Sequence, residues 1–302
     1  MRITARGSAV GAVALAAALL AAVTGCSSDS DESDSGSKLL GGLGTLADDN
    51  GAKQVTFLDA ARVRKLSKGD SKRFSSVAQP GSSLLNSYQP GPWGQNLKVT
   101  QIDTAVDTDE AGHWEGSFDA TAITKSLKSN GYTQSEGDGE EVWARPGGTG
   151  VSFQVSEDEI SYSSRDSDPM SAVTSKKSSS LAGNKEYRRA AECLGDVYRA
   201  DFNPLSSPNP VRLAAVGQQV ASAAKNIEVL CFVVKDDATA QRLEAKLRSV
   251  VRAESPKFDG TKVTVEKSGQ PLVRAVVPDT ATQRPGRLII SDVELWMTVS
   301  DL

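Results

Sequence analysis

The chain has 302 residues, of which 38% are hydrophobic, 5% aromatic and 24% charged. Its 34 lysines and arginines are outnumbered by 38 aspartates and glutamates, and the formal net charge of −4 excludes the concentrated basic surface of a nucleic-acid-binding protein. The length allows one large or two ordinary domains.

The first 25 residues have the pattern of an export signal. Arg2 and Arg6 precede the apolar run 10–23. This run is shorter than the roughly 20 apolar residues that a permanent membrane-spanning helix needs. We therefore predict a cleaved signal peptide over residues 1–25.

The signal ends in Val23, Thr24, Gly25 and Cys26: an aliphatic residue, two small residues and a cysteine. This pattern resembles the lipoprotein signal of bacteria. The resemblance implies that Cys26 carries diacylglycerol through a thioether and anchors the protein at the outer face of the cell membrane. Two acyl chains bind a membrane persistently, whereas one does not. An ordinary secretory signal with an incidental cysteine is the alternative.

Residues 26–50 follow as the lipidated cysteine and a spacer. The stretch 27–37 contains Asp29, Asp31, Glu32 and Asp34 and no hydrophobic residue. Such a segment cannot bury apolar area, so we predict a disordered tether. Without the arginines of the signal and the acids of this spacer, the folded part has a charge near −2.

The N-terminal domain is predicted over residues 51–165. Residues 55–58 are typical of a short strand that runs into a helix over 59–66, with Asp59 as its N-cap. A loop over 67–83 and a turn at 90–94 precede an alternating strand of Leu97, Val99 and Gln101.

A β-α-β-β pattern then occurs twice. A strand over 114–118 leads to a helix opened by the tetrapeptide DATA at 119–122, and strands over 141–145 and 151–156 follow. A strand over 227–234 leads to a second DATA-opened helix at 237, followed by strands over 262–267 and 272–277. We predict an internal duplication, although tetrapeptides of common residues also recur by chance.

The C-terminal domain is predicted over residues 185–302, after a polar linker over 166–184. Its elements are a helix over 185–199, the strand 229–234 and closing strands at 288–290 and 293–299. With Cys26 assigned to lipid, Cys193 and Cys231 are an even pair in an oxidising compartment, which predicts a disulfide. A redox or metal pair is the alternative.

These patterns predict an α+β protein: two related β-α-β-β-type modules with mostly antiparallel sheets, each covered by a helix. Segments 55–66 (VTFLDAARVRKL) and 190–197 (AAECLGDV) resemble a group of uncharacterised lipoproteins of actinobacteria. That resemblance implies a two-part extracytoplasmic protein and carries over no catalytic residue.

No motif predicts catalysis, a metal or a cofactor. His113 is the only histidine, and its acidic neighbours favour a surface loop. Asp107, Asp109 and Gly112 match three positions of a calcium loop, but Ala111 and Phe118 stand where oxygen ligands are required. The glycines form neither phosphate-binding nor dinucleotide-binding motifs and are typical of turns.

Two further patterns bear on ligands. Ser222 and Lys225 match the Ser-x-x-Lys of penicillin-binding enzymes, without the remaining motifs of those enzymes at suitable spacing. Trp93, which lies in a turn rich in proline and glycine, is the candidate for a ligand contact; a place in the core is its alternative.

The sequence therefore favours a non-enzymatic, lipid-anchored binding module that contacts the membrane and an envelope protein or lipid ligand. A carrier with a large apolar cavity for an amphiphile is one alternative. A hydrolase with two acids of separated pKa values in a cleft is the other.

Overall fold

The computed structural model describes residues 37–48, 54–85, 91–137, 140–147, 150–165, 168–173, 177–222, 225–300 and 302. The predicted signal peptide and Cys26 lie outside these residues. The α+β class is confirmed: the described residues contain twelve strands and seven α-helices.

The strands form one antiparallel sheet. In chain order they are β1 (Val55–Asp59), β2 (Ile102–Asp107), β3 (Ala111–Gly116), β4 (Thr133–Gly137), β5 (Glu140–Ala144), β6 (Ser152–Val155), β7 (Glu159–Ser163), β8 (Arg199–Pro204), β9 (Val211–Ser222), β10 (Lys225–Val234), β11 (Lys262–Glu266) and β12 (Leu272–Pro278). Their order across the sheet is β11-β12-β10-β9-β8-β1-β2-β3-β7-β6-β5-β4. Pairing of β1 with β8 joins the strands of the two predicted halves.

The helices are short apart from one. They are α1 (Lys38–Leu43), α2 (Ala60–Leu66), α3 (Ser71–Phe74), α4 (Ala120–Ser129), α5 (Lys185–Leu194), α6 (Asp237–Ala253) and α7 (Arg287–Ile290). Aspartates cap α2, α4 and α6: a carboxylate oxygen of Asp59, Asp119 and Asp236 accepts a hydrogen bond from the third backbone N–H of its helix at 3.0, 2.9 and 2.7 Å. Such caps satisfy N–H groups that the helix itself leaves unpaired.

The two DATA tetrapeptides occupy different positions in their helices. Asp119 is the cap of α4, but Asp237 is the first helical residue of α6 and Asp236 is the cap. The tetrapeptides are therefore offset by one residue.

One face of the sheet carries a single apolar core, which we call the disulfide face. Alternate residues of β10 (Val229, Cys231 and Val233) pack there together with α1 and α5. This core continues across β9, β8, β1 and β2 as far as Val106.

The opposite face, which we call the split face, carries two separate apolar cores. Helices α2, α3 and α4 cover the first, and α6, α7 and the turn Trp296–Val299 cover the second. Strand β8 lies between them. Because Ala200 and Phe202 face the disulfide side, Arg199 and Asp201 face the split side.

Several boundaries differ from the sequence predictions. The helix predicted to reach residue 199 ends at Leu194, because Gly195 takes a positive φ of 69° and the chain turns into β8. The closing strands predicted at 288–290 and 293–299 are wrong: helix α7 and a 3₁₀ turn stand there. Short apolar runs do not distinguish a strand from a buried helix.

Three further segments differ from their predictions: the spacer and the linker, which were predicted to lack regular structure, and the strand predicted at 97–101. Helix α1 lies in the predicted spacer, and Leu39 and Leu43 are fully buried. In the predicted linker, Val173 and Ser180 form β-bridges with Leu46 and Ala47. The predicted strand at 97–101 includes a 3₁₀ turn over Val99–Gln101.

Candidate functional site

Strands β3 and β7 bring four polar side chains into a compact block. Their antiparallel register places His113 opposite Ser161 and Glu115 opposite Glu159. Because alternate residues of a strand share a face, all four lie on one side of the sheet. That side is the disulfide face, since His113 also pairs with Val106 of its core. We call this block the His113 face.

His113 is held in place within the sheet. It is 7% exposed, and its Nδ1 lies 2.9 Å from the hydroxyl oxygen of Ser161. Burial lowers the pKa of His113, although Glu159 and Glu115 act against this shift. The prediction of a surface-loop histidine is wrong. His113 lies within strand β3, and so does its acidic neighbour Glu115.

Glu115 and Glu159 are exposed and face each other across the strand pair. Like charges in directly opposed positions repel. Neither carboxylate forms an ion pair with any residue that the structure describes. Glu157 and Asp158, in the turn before β7, add two more exposed carboxylates nearby.

This arrangement is suited to binding. A neutral imidazole with its proton on Nδ1 donates to Ser161 and leaves Nε2 as an acceptor. Within the described part of the chain, no carboxylate accepts a hydrogen bond from the imidazole, as the orienting acid of a nucleophilic triad does. The block therefore offers acceptors and negative charge to a ligand with N–H donors.

The split face directly behind the block contains a buried carboxylate. Asp107 accepts hydrogen bonds from Trp114 Nε1 at 2.7 Å, the Tyr162 hydroxyl at 2.9 Å and the Gly81 N–H at 2.9 Å. Burial raises the pKa of Asp107 to about 6 against the opposing effect of these bonds. All these contacts are internal, so Asp107 supports the strand pair from behind.

Gly112 is required by the same packing. A Cβ added there would lie 2.4 Å from a ring carbon of Tyr162. The glycine and aspartate that resemble part of a calcium loop therefore serve the packing of Tyr162.

Trp93 lies in the core. It is 3% exposed and makes edge contacts with Trp114 and Phe153, with ring centroids 5.8 and 5.6 Å apart. A ligand contact at Trp93 stays a prediction, and burial favours the alternative that it is a packing residue.

The disulfide between Cys193 and Cys231 is confirmed. It links α5 to β10, with the two Cα atoms 6.2 Å apart. The bridge lies on the same sheet face as His113, with β9, β8, β1 and β2 between β10 and β3.

A second titratable cluster lies buried on the split face. Arg287 at the start of α7 donates to Asp279 from Nε at 2.8 Å and to Asp292 from Nη1 at 2.8 Å. The backbone N–H of Arg287 donates to Glu228 Oε1 at 3.0 Å. Burial and the nearby Asp279 raise the pKa of Glu228 to about 8, and burial raises that of Asp279.

Amide and hydroxyl groups complete this cluster. Gln218 Nε2 donates to Glu228 at 2.9 Å, and Asn226 Nδ2 donates to Asp279 at 2.6 Å. The Tyr198 hydroxyl donates to Asn226 at 2.7 Å. Glu228 is fully buried and Asp279 is 9% exposed, so these acids lie beneath the surface and connect the 279–288 segment to the sheet.

A small cavity lies on the disulfide face, lined among others by Leu46, Val55, Ala111 and Tyr187. Its volume of about 20 Å³ is sufficient for about one water molecule. An acyl chain does not fit there.

Neither a metal site nor a membrane-spanning helix is found in the described ranges. No three side chains of His, Cys, Asp or Glu converge there as ligands of a metal ion. No helix in this part of the chain combines the length and apolarity needed to cross a bilayer.

Comparison with known proteins finds no matching family model, no matching curated protein and no matching solved structure.

The sequence prediction missed both the His113 face and the cluster around Arg287. The His113 face had a signal in the sequence. In β3 the polar residues His113 and Glu115 alternate with the apolar Trp114, which is the pattern of a strand with one polar and one apolar face. The second had none, because Glu228 lies 59 residues before Arg287 in the chain and reaches it only through the fold.

Proposed function

We propose that this protein is a lipid-anchored, extracytoplasmic module that binds another component of the cell envelope. The lipid attachment rests on the sequence pattern ending in Cys26. The disulfide agrees with an oxidising compartment, where such bonds persist. The observation that carries the binding role is the His113 face, a block of exposed carboxylates and a buried imidazole on the paired strands β3 and β7.

The anchor is tested by the fate of Cys26. Wild-type protein is expected in the membrane fraction, with its N-terminal peptide starting at a Cys26 that carries diacylglycerol. A Cys26→Ser variant is expected to lose the lipid and leave the membrane fraction. An N-terminal peptide that keeps residues 1–25 and an unmodified Cys26 would contradict the anchor.

The binding role is tested by photo-crosslinking on intact cells. Gln154 of β6 pairs with Ser161 and is half-buried beside the His113 face, so a photo-reactive residue there should form an adduct with one envelope protein. The matched control is Gln241, which is exposed on α6 of the other sheet face. Equal labelling from both positions, or none from Gln154, would contradict the proposal.

We further propose that the protein consists of two related units, over residues 51–165 and 185–302. In support, each half contains a hairpin (β2–β3 or β9–β10) followed by a helix (α4 or α6). In each half the strand after this helix (β4 or β11) lies at an outer edge of the sheet. The last strand of each half (β7 or β12) then pairs with the second strand of the hairpin. The first unit inserts two additional strands.

A further inference from the structure

We propose that the His113 face binds the cationic side chain of a lysine- or arginine-containing segment of the partner protein. This inference rests on the proposed binding function and names the chemistry of its ligand.

The first reason is unsatisfied charge. Glu115 and Glu159 are held opposite each other by the register of β3 and β7, and both are exposed. Within the described chain neither has a cation within ion-pair distance. An ammonium or guanidinium group between them would turn a repulsive pair into two attractive contacts.

The second reason is the imidazole of His113, which is independent of the carboxylates. His113 is only 7% exposed, and its one hydrogen bond joins Nδ1 to the hydroxyl group of Ser161. Nε2 has no partner among the described residues. Both glutamates act electrostatically on this ring, which lies beside them on the same face.

The third reason is that the hydrogen-bond donors of a cationic side chain match the acceptors of this face. A guanidinium group has five N–H donors and an ammonium group has three, and neither accepts a hydrogen bond. The two carboxylates and the free Nε2 offer acceptors only, when Nδ1 carries the proton. A cationic side chain therefore satisfies both the charge and the hydrogen bonds of this face.

A metal ion is a poorer match. A structural or catalytic site for zinc needs three or four protein ligands at short distances. The described residues contain no such group. Ser161 is also occupied by its contact with His113.

The test uses the purified full chain and fluorescein-labelled hexa-arginine, hexa-lysine and hexa-citrulline peptides, with fluorescence anisotropy at low salt. The two cationic peptides should bind, and the neutral citrulline peptide should not. The Glu115→Gln/Glu159→Gln variant should raise the Kd by about tenfold, because both charges are lost.

The matched control is Glu192→Gln/Asp237→Asn. It removes the same charge from exposed positions on α5 and α6, so the Kd should change less than about twofold. Thermal unfolding establishes that both variants fold. A His113→Gln variant should weaken binding by a smaller factor and shift the pH dependence of the Kd.

Equal weakening in the two double variants would overturn the proposal, since binding would then follow net charge alone. Competition by micromolar zinc or calcium would overturn it in favour of a metal site. Failure of the cationic peptides to bind, with the adduct from Gln154 intact in cells, would refute this ligand class and leave the proposed function standing. Peptide binding without any adduct in cells would refute the proposed function and leave the cation site standing.

Discussion

The disulfide face and the split face belong to one sheet, yet different interactions hold their coverings. On the disulfide face a single apolar core runs from β2 to β12, and a covalent bond ties α5 to it. On the split face the strands β8, β9 and β10 place Arg199, Asp201, Gln218 and Glu228 between two apolar cores. The contrast shows that one face of a large sheet can carry a single apolar core, whereas the other combines two apolar cores with compensated charge between them.

The two faces should respond differently to substitutions. An apolar core loses stability in proportion to the volume removed. A buried charge network depends on each partner, because the charge that remains after a deletion is both desolvated and unpaired.

Arg287→Met should lower the free energy of unfolding by about 3–5 kcal/mol, because the Asp279 carboxylate would stay buried without the guanidinium that pairs with it. The measurement is urea denaturation at pH 7 in a Cys26→Ser background. The control is Arg62→Met, which removes an ion pair with Asp196, whose side chain is 84% exposed. That change should cost less than about 1 kcal/mol. Equal small losses would mean that the buried cluster contributes little.

On the disulfide face, Cys193→Ala/Cys231→Ala should lower the free energy of unfolding by about 2–4 kcal/mol. The bridge joins residues 38 apart in sequence and restricts the unfolded chain. Urea denaturation in the same background, with and without reductant, measures the loss. Reductant should destabilise the parent and leave the double variant unchanged; a parent insensitive to reductant despite a reduced bridge would contradict the prediction.

The split face should also make stability depend on pH. Because the pKa of Glu228 is raised from 4.5 to about 8 in the folded protein, the folded state binds this proton more tightly than the unfolded state. Its stabilising contribution is therefore present below about pH 4.5 and is lost as the pH rises through 8. The raised pKa of Asp279 acts in the same direction.

Between pH 5 and 8 the parent should lose about 3–4 kcal/mol more than Glu228→Gln, which cannot ionise. Denaturation at several pH values measures the two slopes. Glu192→Gln, at an exposed position, should retain the slope of the parent. Identical slopes for the parent and Glu228→Gln would show that Glu228 does not change its protonation in this range.

The smallest effect is expected behind the His113 face. Tyr162→Phe should cost about 1–2 kcal/mol, because Asp107 loses one of its donors while remaining buried. It should also raise the pKa of Asp107 from about 6, because the hydrogen bond from Tyr162 favours the ionised carboxylate. Tyr132→Phe is the control, since the Tyr132 hydroxyl has no hydrogen-bond partner in the described chain, and its effect should stay within about 0.5 kcal/mol.

The sequence predicted those elements whose signals are local. Three such predictions are confirmed. Asp59 caps helix α2, the apolar run at 227–234 lies in strand β10, and the even cysteine pair forms the disulfide. The strands β2, β4, β7, β8 and β9 were missed. The single sheet was missed as well, because pairing of β1 with β8 brings together residues more than 140 positions apart in the chain. No local pattern encodes such a pairing.

The candidate site was only partly predictable. Its residue types were visible around His113, but acidic neighbours in sequence suggested a solvated loop. The partner strand β7 decides the geometry, because Ser161 and Glu159 reach the block only through the register of that pairing. The buried cluster of Glu228, Asp279 and Arg287 depends wholly on tertiary structure.

The central position of β1 has a consequence for how the chain assembles during synthesis and export. Strand β1 is the earliest strand, yet its second neighbour, β8, begins at Arg199. Until that residue emerges, the backbone groups along one side of Val55–Asp59 lack their strand partner, an arrangement that invites pairing with other chains. We expect chains truncated before residue 199 to aggregate, and completion of the sheet to be a late, slow event set by its long-range contacts.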